Sequence, residues 1–188
     1  MAQKISALSL GDAALKSIGI RKGLPETEDQ ALVYLFMASS SLSGEDYEKL
    51  LDDFIRQFPA NADGYLRRAN YYASKGKDDQ TWYDKAVADF NQALKVAQKK
   101  DDVYYNIGKL MYAYQLSKPE KTYKDWTYDT ALKNVRQAIA IDPLPIYIQM
   151  EGDILFAQQD YAGALAAYEK VNTCLLYTSP SPRDRGWS

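Results

Sequence analysis

Four stretches of the chain can be laid over one another: DYEKLLDDF (Asp46 to Phe54), WYDKAVADF (Trp82 to Phe90), TYDTALKNV (Thr127 to Val135) and DYAGALAAY (Asp160 to Tyr168). Each reads Tyr, two residues, Ala or Leu, three residues, then a large or branched apolar side chain. Offsets of three and four put these side chains on one face of a helix, so each stretch predicts an amphipathic helix beginning near its Tyr. Upstream of three of them runs a second helical pattern: YLRRANYY from Tyr65, YYNIGKLMY from Tyr104 and IQMEGDILF from Ile148. A small residue recurs in each, as Ala69, Gly108 and Gly152, where two helix backbones can approach closely.

A helix pair repeated along a chain is the mark of a repeat architecture. The pattern resembles the tetratricopeptide repeat. The last unit matches at Ile148, Gly152, Leu155, Ala164 and Tyr168; the third at Tyr104, Gly108, Met111, Ala131, Val135, Ala138 and Pro143; the second at Tyr65, Ala69, Tyr72, Ala86, Phe90 and Ala93. The resemblance implies an all-α fold, a right-handed α-solenoid of antiparallel helix pairs, with about three clear repeats and one degenerate N-terminal repeat. The repeat domain is placed at residues 27–173, divided near 27–60, 61–100, 101–143 and 144–173. Between its helices the second repeat is five residues longer than the consensus and the third eleven longer, the latter holding SKPEKTYKDWTYD (Ser117 to Asp129). The first repeat opens with Thr27 and Gln30 at capping-box spacing after Pro25 and carries ALVYLFMA, Ala31 to Ala38. Within the preceding segment, residues 1–26, a short helix is predicted over Gln3 to Ile20, weakened by Gly11 and Gly19.

Composition narrows the chemistry. The 188 residues are 46% hydrophobic with a formal net charge of -2, a foldable chain with no basic field for nucleic acid or anionic lipid. Histidine is absent and Cys174 is alone, so no Cys/His metal site, no internal disulfide and no Cys-His or Ser-His catalytic pair can be built. No apolar run approaches the roughly 18 residues of a membrane span, so direct membrane insertion is not expected. There is no Gly-rich phosphate loop and no GxSxG elbow. The acidic pairs Asp52 and Asp53, Asp78 and Asp79, and Asp101 and Asp102 are adjacent, and neighbours on a regular helix do not face one cleft. Neither catalysis nor a cofactor is expected.

In the repeats that this chain resembles, the first helices line a concave groove that receives a peptide. Carried over, the groove positions with binding chemistry are Arg67 and Asn70 in the second repeat, Tyr105, Asn106, Lys109 and Tyr112 in the third, and Gln149, Asp153 and Phe156 in the fourth; Asp63, Leu66, Ser74, Asp102 and Met150 share those faces. Asn and Gln bond a peptide backbone, Arg and Lys meet carboxylates, and the aromatics supply flat contact area. The same positions also suit an ordinary solvated helix face. One subtype of the family clamps a partner's C-terminal carboxylate; its two asparagines match as Asn70 and Asn106, but its cationic positions hold Leu66, Ile146 and Met150, so a chaperone-tail carboxylate is not the expected partner. Tyr65, Tyr72, Tyr83, Tyr104, Tyr128, Tyr161 and Tyr168 sit where helices pack and are read as core. Trp82 and Trp126, at the ends of the inserted loops, either pin the loop or face a ligand, and pinning is the favoured reading.

The function implied is a non-catalytic scaffold binding a protein or peptide of unknown identity. The alternative is the recognition part of a larger envelope protein, sensor or enzyme, and self-association of the groove is a third reading. Leu165, Tyr168 and Val171 leave an apolar stripe on the last helix, which calls for a further covering helix. The ending CLLYTSPSPRDRGWS shares no pattern with the rest. Its first part, Cys174 to Asp184, resembles the translated adapter of a transposase-based sequencing library. Residues 174–188 are therefore read as a non-native disordered tail and the chain as a truncated fragment. Met-Ala-Gln-Lys suits the surroundings of a signal-peptidase cut as well as a plain start, and with no cysteine before the tail an exported or periplasmic setting is favoured over a cytoplasmic one.

Overall fold

The computed structural model describes residues 24–42, 44–76, 79–121 and 123–178, with side chains as far as Asn172. The helix predicted over Gln3 to Ile20 and the tail from Ser179 lie outside the described residues. Among those described there are eight helices and no strand: α1 (Glu28–Ala38), α2 (Gly44–Gln57), α3 (Ala62–Lys75), α4 (Gln80–Val96), α5 (Asp101–Ser117), α6 (Tyr128–Ile141), α7 (Pro145–Ala157) and α8 (Tyr161–Thr178). They fall into two compact units, Met1–Ala97 and Gln98–Ser188.

In the first unit α1 packs on α2, α2 on α3 and α3 on α4. Ala31, Tyr34, Leu35, Ala38, Leu50, Leu51 and Phe54 form a continuous core between α1 and α2. Thr27 is the N-cap of α1 by position, but its side chain makes no cap bond. The capping box does not form; the Thr27 carbonyl makes the ordinary first helical bond, from Ala31 N–H at 3.0 Å, and Glu28 and Asp29 place negative charge in the first turn. Gln57 donates its amide to the Pro25 carbonyl at 2.8 Å, fastening the lead-in of α1 to the end of α2. Asn61 caps α3 by accepting from Gly64 N–H, and Asp79 caps α4 by accepting from Thr81 N–H at 2.9 Å.

Across α3 and α4 the contact is charged. Arg68 forks onto Asp89 through two bonds of 2.7 Å and reaches Asp52 of α2 with a third of 2.7 Å. Asp89 is buried, and these bonds raise the Arg68 pKa further above its already high value. Ala69 and Ala86, both fully buried, let the two helices close around this fork.

In the second unit α5 packs on α6, α6 on α7 and α7 on α8, and α5 also touches α7. Close packing falls at the two glycines anticipated from sequence, with another backbone against Gly108 and an aromatic ring against Gly152. A Cβ on Gly108 would lie 2.7 Å from Val135 Cγ2 and 2.8 Å from the Ala131 carbonyl oxygen; one on Gly152 would lie 2.5 Å from the ring of Tyr168. The inserted loop before α6 is anchored by Tyr123 and Trp126, 4% and 2% exposed. Trp126 stands edge-on to Tyr114 and Tyr123, with centroids 5.4 and 4.8 Å away. Thr127 and Thr130 then start α6 with a reciprocal capping box. At the other end of α7, Gln159 takes a left-handed φ of 65° while Asp160 N–H bonds the Leu155 carbonyl at 2.9 Å, a closing turn usually given to glycine.

Two expectations change here. Asp101 and Asp102 do converge: the hydroxyl of the buried Tyr147 reaches Asp101 Oδ2 at 3.2 Å and donates to Asp102 Oδ1 as well. They are the first two residues of α5, and at a helix end two consecutive side chains can reach a group lying beyond the terminus. Tyr161 is not core but 60% exposed, because it opens α8 and packs only edge-on to Phe156, 5.4 Å between centroids. The backbone of α8 is helical as far as Thr178, past Cys174.

Candidate functional site

Arg67 and Asn70 share a cleft of about 410 Å³ in the first unit, lined by Ser39, Leu42, Gly44, Tyr47, Tyr71 and Ser74 besides themselves. Arg67, Asn70 and Ser74 come from one face of α3, three and four residues apart. Tyr47 and Tyr71 stand edge-on at 5.8 Å as adjoining walls. Tyr71 is fixed through its hydroxyl, which donates to the Gly44 carbonyl, and through Lys75, whose ammonium lies 4.4 Å from the ring centroid while pairing with Glu48 at 3.2 Å. Arg67 faces Tyr47: burial raises the phenol pKa and the guanidinium charge and hydrogen bond oppose that rise. Arg67 Nε is buried with no hydrogen-bond partner.

In the second unit the predicted residues divide by role. Lys109, Gln149 and Phe156 are exposed, Phe156 at 59%. Tyr105, Asn106, Tyr112 and Asp153 are half-buried. Asp153 is already engaged, accepting from the Tyr168 hydroxyl at 2.8 Å. Burial and then this bond push the Tyr168 pKa up to about 12. Burial first, and the Asp153 charge second, also raise Tyr105 and Tyr112, so α5 and α7 present one patch of phenols around a carboxylate. Tyr105 leans on Tyr147 at 4.8 Å and Tyr112 on Tyr128 at 6.0 Å. Asn106 donates back to the Asp102 carbonyl of its own helix at 2.8 Å.

The two tryptophans differ. Trp126 is inside the loop anchor and presents no face to solvent. Trp82 is half-buried, with the Lys75 and Lys85 ammoniums 4.8 and 4.3 Å from its ring and Tyr72 beside it at 5.7 Å. Among the described residues no group of acidic or cysteine side chains has the arrangement of a metal site, and no helix is long and apolar enough to cross a membrane.

No family model matches the chain, and no curated protein matches it. Solved structures do. The chain is similar to the crystal structure of TTC0263, a thermophilic TPR protein in Thermus thermophilus, with TM-score 0.64 and 19% identity over 94% of this chain and 84% of that one. It is also similar to the crystal structure of MamA, with TM-score 0.57 and 16% identity over 88% and 85% of the two chains. MamA MSR-1 C2 aligns with TM-score 0.52 and 14% identity over 92% and 94%. The fold is the tetratricopeptide-repeat fold.

Within a tetratricopeptide-repeat fold, Ala69, Gly108 and Gly152 are the small residues at which the first helix of a pair meets the second, and all three are buried. Sequence reasoning missed Ser39, Leu42, Tyr47 and Tyr71 as cleft walls, because the degenerate first repeat gave no register from which to carry groove positions. The signal that was present is Tyr47, which heads the first of the four superimposable stretches.

Proposed function

We propose that the chain is a non-catalytic scaffold that holds a peptide or partner protein against the side chains that α5 and α7 leave exposed, Lys109, Gln149 and Phe156. The observation that carries this reading is the double role of α5 and α7. Each closes onto the next helix at Gly108 or Gly152, while Lys109, Gln149 and Phe156 of the same two helices stay exposed. Such a set mixes amide, cation and aromatic groups, which suits a polar backbone with occasional apolar anchors more than a uniform surface. A net charge of -2 gives no support to nucleic acid as partner, and the reading involves neither a cofactor nor membrane insertion.

A random-peptide display library panned against the full chain tests this. Enriched peptides are expected to bind with micromolar affinity or better. They should lose at least about tenfold in affinity against a variant combining Lys109→Glu, Gln149→Lys and Phe156→Ala, whose circular dichroism stays helical. Failure to enrich any peptide, or binding indifferent to the triple variant, would sink the reading for these helices.

A further inference from the structure

We propose that Asp153 and the phenols of Tyr105 and Tyr112 form a receptor for the guanidinium of an arginine within a partner peptide. The inference rests on the scaffold reading and adds the chemistry of one contact. On α7 Asp153 lies four residues after Gln149 and three before Phe156, and on α5 Lys109 lies four after Tyr105 and three before Tyr112, so the exposed groups border these three. Asp153 uses Oδ1 for the Tyr168 hydroxyl at 2.8 Å, which holds the carboxylate in place. Among the described residues no donor reaches its Oδ2, and neither the Tyr105 nor the Tyr112 hydroxyl has a hydrogen-bond partner. The polar side-chain atoms that are buried without a partner lie elsewhere, at Arg67 and Gln115, so Oδ2 and both phenol oxygens are open to solvent. The acids that act on these phenols are Asp153 and Asp102 at Tyr105, and Asp153 at Tyr112. Lys109 is exposed and does not offset them at either phenol. A half-buried carboxylate with an unfilled oxygen and no cation beside it favours a positive charge. Guanidinium suits the place more than ammonium, because it is planar, lies flat on an aromatic ring and has N–H groups enough for the carboxylate oxygen and both phenols. The two rings are steadied by their neighbours, Tyr105 by Tyr147 at 4.8 Å and Tyr112 by Tyr128 at 6.0 Å.

The test is a titration of the full chain, carrying carbon-13 in its tyrosine rings, with the peptide acetyl-Gly-Gly-Arg-Gly-Gly-amide. The Tyr105 and Tyr112 ring signals, assigned through Tyr105→Phe and Tyr112→Phe, are expected to shift together and to saturate at roughly millimolar peptide, the range of a single contact. The citrulline peptide, equal in shape but uncharged, should bind at least about ten times more weakly, since it loses the charge assistance of the bond. Asp153→Asn should weaken the arginine peptide by about as much, with helix content unchanged, because its amide oxygen still accepts from Tyr168. Equal binding of the citrulline peptide, undiminished binding to Asp153→Asn, or no shift of either ring would overturn the proposal. A lysine peptide that binds as tightly as the arginine one would overturn the assignment to guanidinium. Library-selected peptides that bind regardless of Asp153 would leave the scaffold reading standing and remove only this site, whereas absence of any peptide binding would remove both.

Discussion

In the first unit the pair α3 and α4 is tied by a charge, Arg68 forked onto Asp89, over a seam of buried alanines. In the second unit the pairs α5 and α6, and α7 and α8, meet at glycines with aromatic and branched side chains laid directly on the backbone. The α3–α4 pair has a close glycine contact of its own, Gly76 against the Tyr83 ring, so the fork adds direction to a proximity that both units share. A bidentate ion pair specifies orientation and register, but its members are costly to desolvate. A glycine contact needs no partner chemistry, yet leaves almost no room for error. The two units should therefore fail differently when altered.

The largest effect is expected from Arg68→Ala. It strands Asp89 as a buried carboxylate, with a loss of about 3 kcal/mol measured as a shifted urea midpoint. Replacing both partners with apolar residues of similar volume, Arg68→Met with Asp89→Leu, should recover most of that loss. If the double variant is as unstable as the single one, the fork is not the tie that the comparison takes it to be.

Gly108→Ala comes next. Its new methyl would press on the Ala131 carbonyl oxygen, which cannot move without α6, and a cost of about 2 kcal/mol is expected. Gly152→Ala should cost less, because its obstacle is the Tyr168 ring, which is half-buried and can swing. The reverse order in thermal melts would show that side-chain yielding does not govern these contacts.

The smallest change is expected from Tyr147→Phe, about 1 kcal/mol at neutral pH. Its sharper signature is in alkali. Burial, reinforced by the bond to Asp102, lifts the Tyr147 pKa well above the ordinary phenol value. The folded state therefore keeps a proton that the unfolded chain releases near pH 10, so this stabilisation is complete below about pH 10 and falls away as pH rises beyond it. Melting temperatures of the wild type should decline above pH 10, and the Phe variant should decline less steeply. Tyr72 and Tyr168, each raised to about 12 chiefly by burial, keep the decline from vanishing. Parallel slopes for the two proteins would remove Tyr147 from the account.

The helices were legible from sequence because their apolar spacing is local, and Gly108 and Gly152 stood out because small residues recurred at one place in each pattern. Arg68 did not stand out. It lies between Arg67 and Ala69 in a polar-looking run, and its partners are 16 and 21 residues away on other helices. Nothing in a helical period says which of two neighbouring arginines turns inward. The convergence of Asp101 and Asp102 on Tyr147 was hidden for a related reason: the rule about adjacent residues holds within a helix and lapses at its first turn. For the candidate site, the positions carried over from the resemblance include Lys109, Gln149 and Phe156, which are exposed. The resemblance could not reveal that one oxygen of Asp153 is taken by Tyr168, or that α1 and α2 contribute the walls around Arg67.

The tryptophans give each unit an optical signal of its own. Trp126, enclosed by Tyr114 and Tyr123, sits where excitation of the phenols passes readily to the indole and where quenchers in solvent have no access. Trp82 lies against two lysine ammoniums and is partly wet, so its emission responds to salt and to collisional quenchers. With Trp187 replaced by Phe, iodide quenching during denaturation would separate the opening of one unit from that of the other in a single unlabelled sample.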